Sequence, residues 1–548
     1  MAAGSPSAEH KSFSQRLLDG IERVGNRVPH PVMLFLYLII GVIILSHLLF
    51  LAGASVTEQI AVPVPAPSSP SFYEDTVRPI EITPLDAYST DYTIQETTIS
   101  IQSLLTTEGI RFIFTSFVPN FAGFSVVAVV FIAMMGAGVA EESGLMNALI
   151  RKLVAVSPNW AITFIIIFVG VLSSVATDAG YLILVPLGAA AFLSLKRHPL
   201  AGLAAAYGGV GAIFAVNILI APIDAMLTEV TNEAIALGGG QPITVVANWF
   251  FAVASSFVIS LIAALITTRI VEPRLGQYVP ENTGTPTEEP AQEVPEGEGR
   301  GLRYAGIAVL IFFGLIALLT APDGAPLRDP VTGGIIGNTP FMDSLLFIIM
   351  LAFLISGIAY GIGAKTIHSS ADVIRGVTKT FAGLAGMVFM LLMISQFIAF
   401  FNYTQMPQYI AVILADGLER ANLGPIPLLL GLILVIMLLD VIIPGSLPKW
   451  AIFAPIFVPL FMRLDVAPQT VLAAYRVGDS PMNVITPLMV YLPFMVTVAQ
   501  RYDKSAGIGS IIALMLPYTF IILIAWVIFF VLWVVLGIPL GPGYPVGM

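Results

Sequence analysis

Continuously apolar runs alternate along the chain with polar stretches, without the period-two alternation of membrane barrel strands. A helix of roughly 20 apolar residues crosses a hydrocarbon layer about 30 Å thick. The pattern therefore predicts membrane helices over 32–53, 107–141, 200–228, 248–270, 303–321, 342–362, 380–403, 468–500 and 508–536. Two further apolar stretches, 160–195 and 425–463, are interrupted halfway. The first is broken by "SSVATDAG", with Ser173, Ser174, Thr177 and Asp178, and the second by "DVIIPGSLPKW", with Asp440, Ser446, Lys449 and Trp450.

Lys and Arg concentrate on the cytoplasmic side of membrane proteins, so they orient the spans. Lys11, Arg16, Arg23 and Arg27 precede the first run, which is too long for a signal peptide and lacks a cleavage site. The N-terminus, 1–31, is thus expected in the cytoplasm. The stretch 54–105 has one basic residue, Arg78, and is expected outside. Arg151 and Lys152 mark the inside, as do Lys365, Arg375 and Lys379, and then Arg501 and Lys504, which leaves the tail 537–548 outside. The 160–195 stretch is basic at both ends, with Lys196-Arg197-His198 closing it. It is therefore expected to enter and leave from the cytoplasm as a re-entrant hairpin, whereas 425–463 would start and end outside. The tip of such a hairpin carries backbone polar groups that lipid cannot satisfy, so it must be buried in protein or line a wet cavity.

A Pro/Glu/Gly-rich segment, 271–302, divides the chain into membrane halves 32–270 and 303–536 and is expected to be a flexible cytoplasmic linker. The halves are related. "GYLILVPLGAAAFLSLKRHPLAGLAAAYGGVGAIFAVNILIAPIDAML" and "KWAIFAPIFVPLFMRLDVAPQTVLAAYRVGDSPMNVITPLMVYLPFM" share an apolar-Pro arm, an "AAY" start, a Gly-broken middle and an Asn–Pro exit. With one copy entering from each side, the predicted fold is an all-α polytopic membrane protein. It has nine transmembrane helices, two re-entrant hairpins, and an inverted repeat with discontinuous helices.

Composition agrees: 57% of the 548 residues are hydrophobic and 11% charged, at a mean hydropathy of +0.91. With no cysteine, thiol chemistry and thiolate metal sites are excluded, and the five histidines form no zinc pattern. The net charge of −10 is not that of a nucleic-acid binder. An intramembrane hydrolase would need a nucleophile–base pair, and no histidine lies in a broken segment. No cofactor is expected.

Substrate sites in such folds lie where discontinuous helices break. Besides the two hairpin tips, the breaks are "GGVGAIFAVNILIAPID", with Asn217, Pro222 and Asp224, and "RVGDSPMNVITP", with Arg476, Asp479, Ser480, Asn483, Thr486 and Pro487. A charge at the centre of a membrane helix costs about 2.5–3.5 kcal/mol on insertion scales, so each has a partner or a task. Arg476 and Asp479, three residues apart, have two readings: a self-neutralising pair on one helical face, or a guanidinium that captures an anion beside a carboxylate. Lys449 either snorkels or pairs with Asp440. Trp450 either stacks on an aromatic solute or fills the core. Asp178 is a candidate proton carrier. Ser173, Thr177, Asn217 and Asn483 either coordinate Na⁺ or satisfy their own broken backbone.

On these motifs, "SSVATDAGYLILVPLG", "AGLAAAYGGVGAIFAVNILIAPID", "KWAIFAPIFVP" and "AAYRVGDSPMNVITPLM", the chain resembles the p-aminobenzoyl-glutamate transporter (AbgT) family over about 30–536. The resemblance implies a homodimer in the bacterial inner membrane. It also implies transport of p-aminobenzoyl-glutamate or proton-driven efflux of sulfonamide antimetabolites. The matching motifs carry over Asp178, Trp450, Pro468, Arg476, Asp479 and Pro487 as cavity residues, and Asp440 and Ser446 join them as substrate-binding candidates. Asp440 stands where the family usually has Asn, and "PGSLP" replaces a run of small residues. The expected function is a secondary active transporter of aromatic amides or organic anions, with Asp178 and Asp479 linked to H⁺. A Na⁺-coupled dicarboxylate carrier is the rival within the class, and a passive channel the rival outside it.

Overall fold

In the computed structural model, the described residues are 31–65, 88–175, 180–278, 297–337, 339–420, 424–440, 443, 445–486, 489 and 491–547. Thr177, Asp178 and Pro487 lie outside them. In chain order, α1 (Pro31–Leu51) is followed by β1 (Ser55–Pro65) and β2 (Tyr88–Ser100), then by α2 (Thr107–Ala122), α3 (Ser125–Glu142), α4 (Leu145–Ala155) and α5 (Ile162–Leu172). Next come α6 (Val185–Ser194), α7 (Pro199–Tyr207), α8 (Pro222–Leu237), α9 (Trp249–Ile266), α10 (Glu298–Thr320), α11 (Leu345–Ala364) and α12 (Ser370–Gly383). The chain ends with α13 (Ala385–Tyr403), α14 (Met406–Arg420), α15 (Pro425–Asp440), α16 (Ser446–Arg463), α17 (Pro468–Asp479), α18 (Leu492–Gln500) and α19 (Ile508–Val535).

Among the described residues, seven helical runs are long and apolar enough to cross a membrane: α1, α2 with α3, α9 with its extension to Leu275, α10, α11, α13 and α19. The α2–α3 run has 36 residues. It would rise about 54 Å if straight, more than the full bilayer including headgroups. It is hinged at Phe124, whose backbone is extended (φ −82°, ψ 95°) just after Pro119 breaks the hydrogen-bond ladder.

The expectation of an all-helical chain needs one correction. β1 and β2 pair antiparallel, from Ser55 opposite Ser100 to Pro63 opposite Tyr92, inside the polar 54–105 stretch. Segments such as "TIQETTIS" are made of β-branched and polar residues, which suits a two-stranded ribbon in water and no membrane element. Boundaries also move. The helix expected to end at 270 continues to Leu275, α10 begins at Glu298, and α12 is a separate helix before α13. Within the stretch 468–500, α17 is followed by non-helical residues 480–486, and α18 begins at Leu492.

Polar contacts gather in two rims. In one, Arg151 Nη2 lies 2.5 Å from Glu298, Lys379 2.6 Å from Glu142, and Arg197 grips Glu272 through Nε (2.8 Å) and Nη2 (2.6 Å). In the other, the Asn248 amide donates to Gln469 O (2.8 Å), Gln469 to Pro545 O (2.8 Å), and Gln102 N to Thr404 O (3.1 Å). Each pair joins segments that the basic residues assign to one side. The exposed Lys379–Glu142 pair contributes little stability, at most about 1 kcal/mol.

Between the rims, the helices that break are packed against one another through glycine. A Cβ on Gly209 would lie 2.4 Å from Ile167 O, and one on Gly170 would lie 2.9 Å from Gly209 C. So α5 and the turn after α7 touch backbone to backbone.

Candidate functional site

The first half supplies a non-helical segment, 213–221, between the turn after α7 and the start of α8. Three glycines at 208, 209 and 211 weaken the helix there, and Pro222 restarts it as the first residue of α8. Asn217 ties this segment to the end of α5. Its amide nitrogen donates to Val171 O (3.0 Å) and Ser174 Oγ (2.9 Å), and its oxygen accepts from Leu219 N (3.0 Å). The Ser173 hydroxyl donates to Gly170 O (2.6 Å). Both side chains thus serve the broken backbone.

In the second half, α15 ends at Asp440 and α16 begins at Ser446. Gly445 makes the turn between them with φ +91°, a conformation that disfavours any side chain. The first turns of α16 bring in Ser446, Lys449 and Trp450, and α17 brings in Tyr475, Arg476 and Asp479. Pro481 stands two residues beyond Asp479 and prevents the helix from continuing.

These residues form one buried charge cluster. Lys449 Nζ bridges Asp440 and Asp479, lying 2.7 Å from Asp479 Oδ1, and all three side chains are 0% exposed. Ser446 Oγ donates to Asp479 Oδ2, and the Tyr475 hydroxyl lies 2.5 Å from Ser446 O and 3.0 Å from Asp479 Oδ1. Arg476 Nη1 lies 2.5 Å from Asp224 Oδ1 and 2.8 Å from Ala215 O, while Asp224 Oδ2 accepts from Ala221 N at 2.7 Å. Ser480 Oγ accepts from Ala215 N (3.1 Å) and donates to Arg476 O (3.0 Å). The interrupted segments of the two halves therefore meet directly.

The self-neutralising reading of Arg476 and Asp479 is overturned. Arg476 pairs with Asp224 on α8, and Asp479 pairs with Lys449 on α16, because each finds a partner on a neighbouring element instead of along its own helix. Lys449 does not snorkel; it holds Asp440 and Asp479 together. Trp450 is 0% exposed, donates from Nε1 to Thr231 Oγ1 (2.9 Å) and lies against Tyr475 with ring centroids 4.4 Å apart, so in this conformation it packs inside the protein. Pro468 is not brought to the cluster. It opens α17 eight residues before Arg476, about 12 Å along the helix axis. Asn483 is buried in the non-helical segment beyond α17.

Sequence reasoning placed Asp224 at a break without giving it a role, and left Thr231 and Tyr475 out of the site. The repeat held the signal for Tyr475. Aligned on "AAY", Gly208 and Gly211 of the first copy stand opposite Arg476 and Asp479 of the second. One copy has the glycines that allow close approach; a Cβ on Gly211 would lie 2.6 Å from Val484 Cγ1 in the opposite half. The other copy has the charges, with Tyr475 one turn before Asp479.

Within the cluster, two buried polar atoms have no partner among the described residues: Arg476 Nε and Asp440 Oδ2. A cavity of about 750 Å³ lies elsewhere, between α4, α10, α11 and residues 218–220, with walls that include Leu149, Leu219, Trp249, Phe313 and Leu345. The Trp249 and Ser356 hydrogens in its wall are already bonded to Ile218 O and Phe353 O. That cavity offers no polar recognition, and the charge cluster does.

Apolar membrane-crossing helices around buried charges on interrupted segments define a membrane transporter. Residues 16–548 match the AbgT transporter family. The p-aminobenzoyl-glutamate transport protein of Escherichia coli (strain K12) is 34% identical over 542 residues, 98% of this chain and 99% of that one. Two solved structures are similar. The Alcanivorax borkumensis YdaH transporter has a TM-score of 0.82 at 34% identity, covering 94% of this chain and 100% of that one. Neisseria gonorrhoeae MtrF, described with a class of antimetabolite efflux pumps, has a TM-score of 0.83 at 36% identity, covering 97% and 100%. The chain belongs to the AbgT family of transporters.

Proposed function

We propose that the protein is a secondary active transporter of p-aminobenzoyl-glutamate-like aromatic amides and organic anions, acting on sulfonamide antimetabolites as a proton-driven efflux pump. The observation that carries this reading is the buried Arg476 guanidinium. It gives Nη1 to Asp224 and Ala215 O and keeps Nε without a partner among the described residues. A guanidinium edge in a low-dielectric site favours a planar carboxylate or sulfonyl-type acceptor by charge-assisted hydrogen bonding. The relatives' names supply the solute class: p-aminobenzoyl-glutamate for the Escherichia coli protein and antimetabolites for MtrF.

In this reading the chain has nine spans, with 160–195 and 425–463 as oppositely inserted hairpins. It sits as a homodimer in the bacterial inner membrane, N-terminus in the cytoplasm and C-terminus outside. The two polar rims support the sidedness, since each joins segments expected on one face. Asp178 and the buried cluster that contains Asp479 are the proton-linked elements, Trp450 and Ser446 contact the solute when the cluster opens, and Pro468 opens α17. One hairpin domain moves against a scaffold that contains the first, fifth and ninth spans, exposing the cluster alternately to each side.

Proteoliposomes test the proposal with labelled p-aminobenzoyl-glutamate and succinate under an imposed proton or sodium gradient. Saturable movement of the aromatic amide driven by the proton gradient is expected. Succinate movement driven by sodium alone would replace this reading with the dicarboxylate carrier, and gradient dissipation without solute flux would replace it with the channel.

A further inference from the structure

The cluster's charges do not balance. Three carboxylates, Asp224, Asp440 and Asp479, face two cations, Lys449 and Arg476, all buried at the meeting of α8, α15, α16 and α17. With every group ionised, the described cluster carries one uncompensated negative charge. A buried, unpaired charge is costly in a low-dielectric interior, several kcal/mol in real proteins, so the site has a vacancy for one positive charge.

The vacancy has an address. Asp224 has both oxygens engaged, Oδ1 by Arg476 and Oδ2 by Ala221 N. Asp479 likewise has Oδ1 engaged by Lys449 and Tyr475, and Oδ2 by Ser446. Asp440 gives Oδ1 to Lys449, and its Oδ2 is fully buried with no partner among the described residues. A single free oxygen suits a proton. A hard metal cation needs a shell of roughly six or more oxygen ligands, and among the described residues no group of three or more His, Asp or Glu is placed to hold one. Lys449 already occupies the position between the two carboxylates that a bound cation would take.

We infer that Asp440 Oδ2 binds the coupling proton of this transporter, with the Lys449 ammonium acting as a built-in cation in place of sodium. This rests on the transport function proposed above and deepens it. The groups facing Asp440 are Lys449 from α16 and Asp479 and Tyr475 from α17, with the backbone of Asp440 3.5 Å from the Thr486 hydroxyl. When Asp440 is protonated the cluster is neutral and can close in a dry interior. Losing the proton restores the uncompensated charge and favours a conformation in which water reaches the site. No bond other than O–H forms or breaks.

The test measures protons moved per molecule of labelled p-aminobenzoyl-glutamate in proteoliposomes that contain a trapped pH dye. Wild type is expected to move protons with solute, and Asp440→Gln would be uninformative on size, so the comparison is Asp440→Asn against Asp440→Glu. The ratio is expected to fall at least tenfold in D440N, at whatever rate solute still crosses, and to survive in D440E. An unchanged ratio in D440N overturns the inference while leaving the transport proposal intact. Sodium-driven transport in wild type would overturn both. A second measurement needs no transport. Infrared difference spectra of the purified full chain are expected to show a protonated-carboxyl band on acidification that D440N lacks, and the same band in both proteins would overturn the assignment. Removing the neighbouring cation with Lys449→Gln raises the proton affinity of the remaining carboxylates, so that band is expected to persist to higher pH; no shift would count against Lys449 as the built-in cation.

Discussion

Arg476 Nη1 lies 2.5 Å from Asp224 Oδ1, although 252 residues separate them in sequence. This pair joins the interrupted helix of one half to that of the other, so it fixes the site and the fold together. Deleting one partner of a buried pair strands the other charge, at a cost of about 3–5 kcal/mol. Asp224→Ala is therefore expected to lower the thermal unfolding temperature in detergent clearly, and more than Lys379→Ala, whose exposed bridge to Glu142 contributes little. Equal effects would remove the special role of the buried pair.

Thr231 accepts the indole hydrogen of Trp450 and holds the ring against Tyr475. Thr231→Val keeps the volume and leaves that donor unsatisfied, which costs about 1–3 kcal/mol. Thermal unfolding should show the loss, and Thr231→Ser should recover most of it.

Much of this was legible in the sequence, for reasons that differ by residue. Asp440, Lys449, Arg476 and Asp479 stand out because charges are expensive in apolar segments, and the structure gathers all four. Lys449 with Asp440 was one of the readings the sequence offered, but the partners of Arg476 and Asp479 were not legible. Helical spacing suggested Arg476 with Asp479, whereas the partners come from α8 and α16, and local spacing carries no information about distant elements. The β1–β2 ribbon was hidden by its setting in a long polar stretch rich in Pro, although the β-branched residues of "TIQETTIS" carried a strand signal. Tyr475 was overlooked because a tyrosine in an apolar run looks like core; its hydroxyl bonds show otherwise.

The contact between α5 and the turn after α7 depends on glycine. Gly209→Ala would set a Cβ 2.4 Å from Ile167 O, a backbone atom that cannot step aside. Overpacking of this kind costs about 1–3 kcal/mol. Gly306→Ala is the control, since nothing lies within 4 Å of its added Cβ. G209A should lower stability and solute flux, and G306A should change neither.

His198 caps α7: its Nδ1 accepts from Leu200 N at 3.3 Å, which requires that nitrogen to be unprotonated. Burial lowers its pKa, against the opposing pull of Asp503 and Glu272. With the folded pKa below the unfolded value of about 6.5, the unfolded state takes up the proton first. The stabilisation is present above that value and fades as pH falls through the folded pKa. Thermal unfolding across mildly acidic pH should therefore fall less steeply in His198→Asn, which keeps a capping acceptor without titrating.

The central claim is that the broken segments of the two halves meet and must separate or shift for solute to cross. Ala215 N and Ser480 Oγ are 3.1 Å apart across that meeting point, and the chain has no cysteine to confuse a cross-link. The decisive measurement is oxidation of the double variant Ala215→Cys, Ser480→Cys in proteoliposomes, followed by solute flux before and after reduction. The account predicts a disulfide between the two positions that arrests flux, with recovery on reduction. Failure of the pair to cross-link, or undiminished flux through the cross-linked protein, would contradict it.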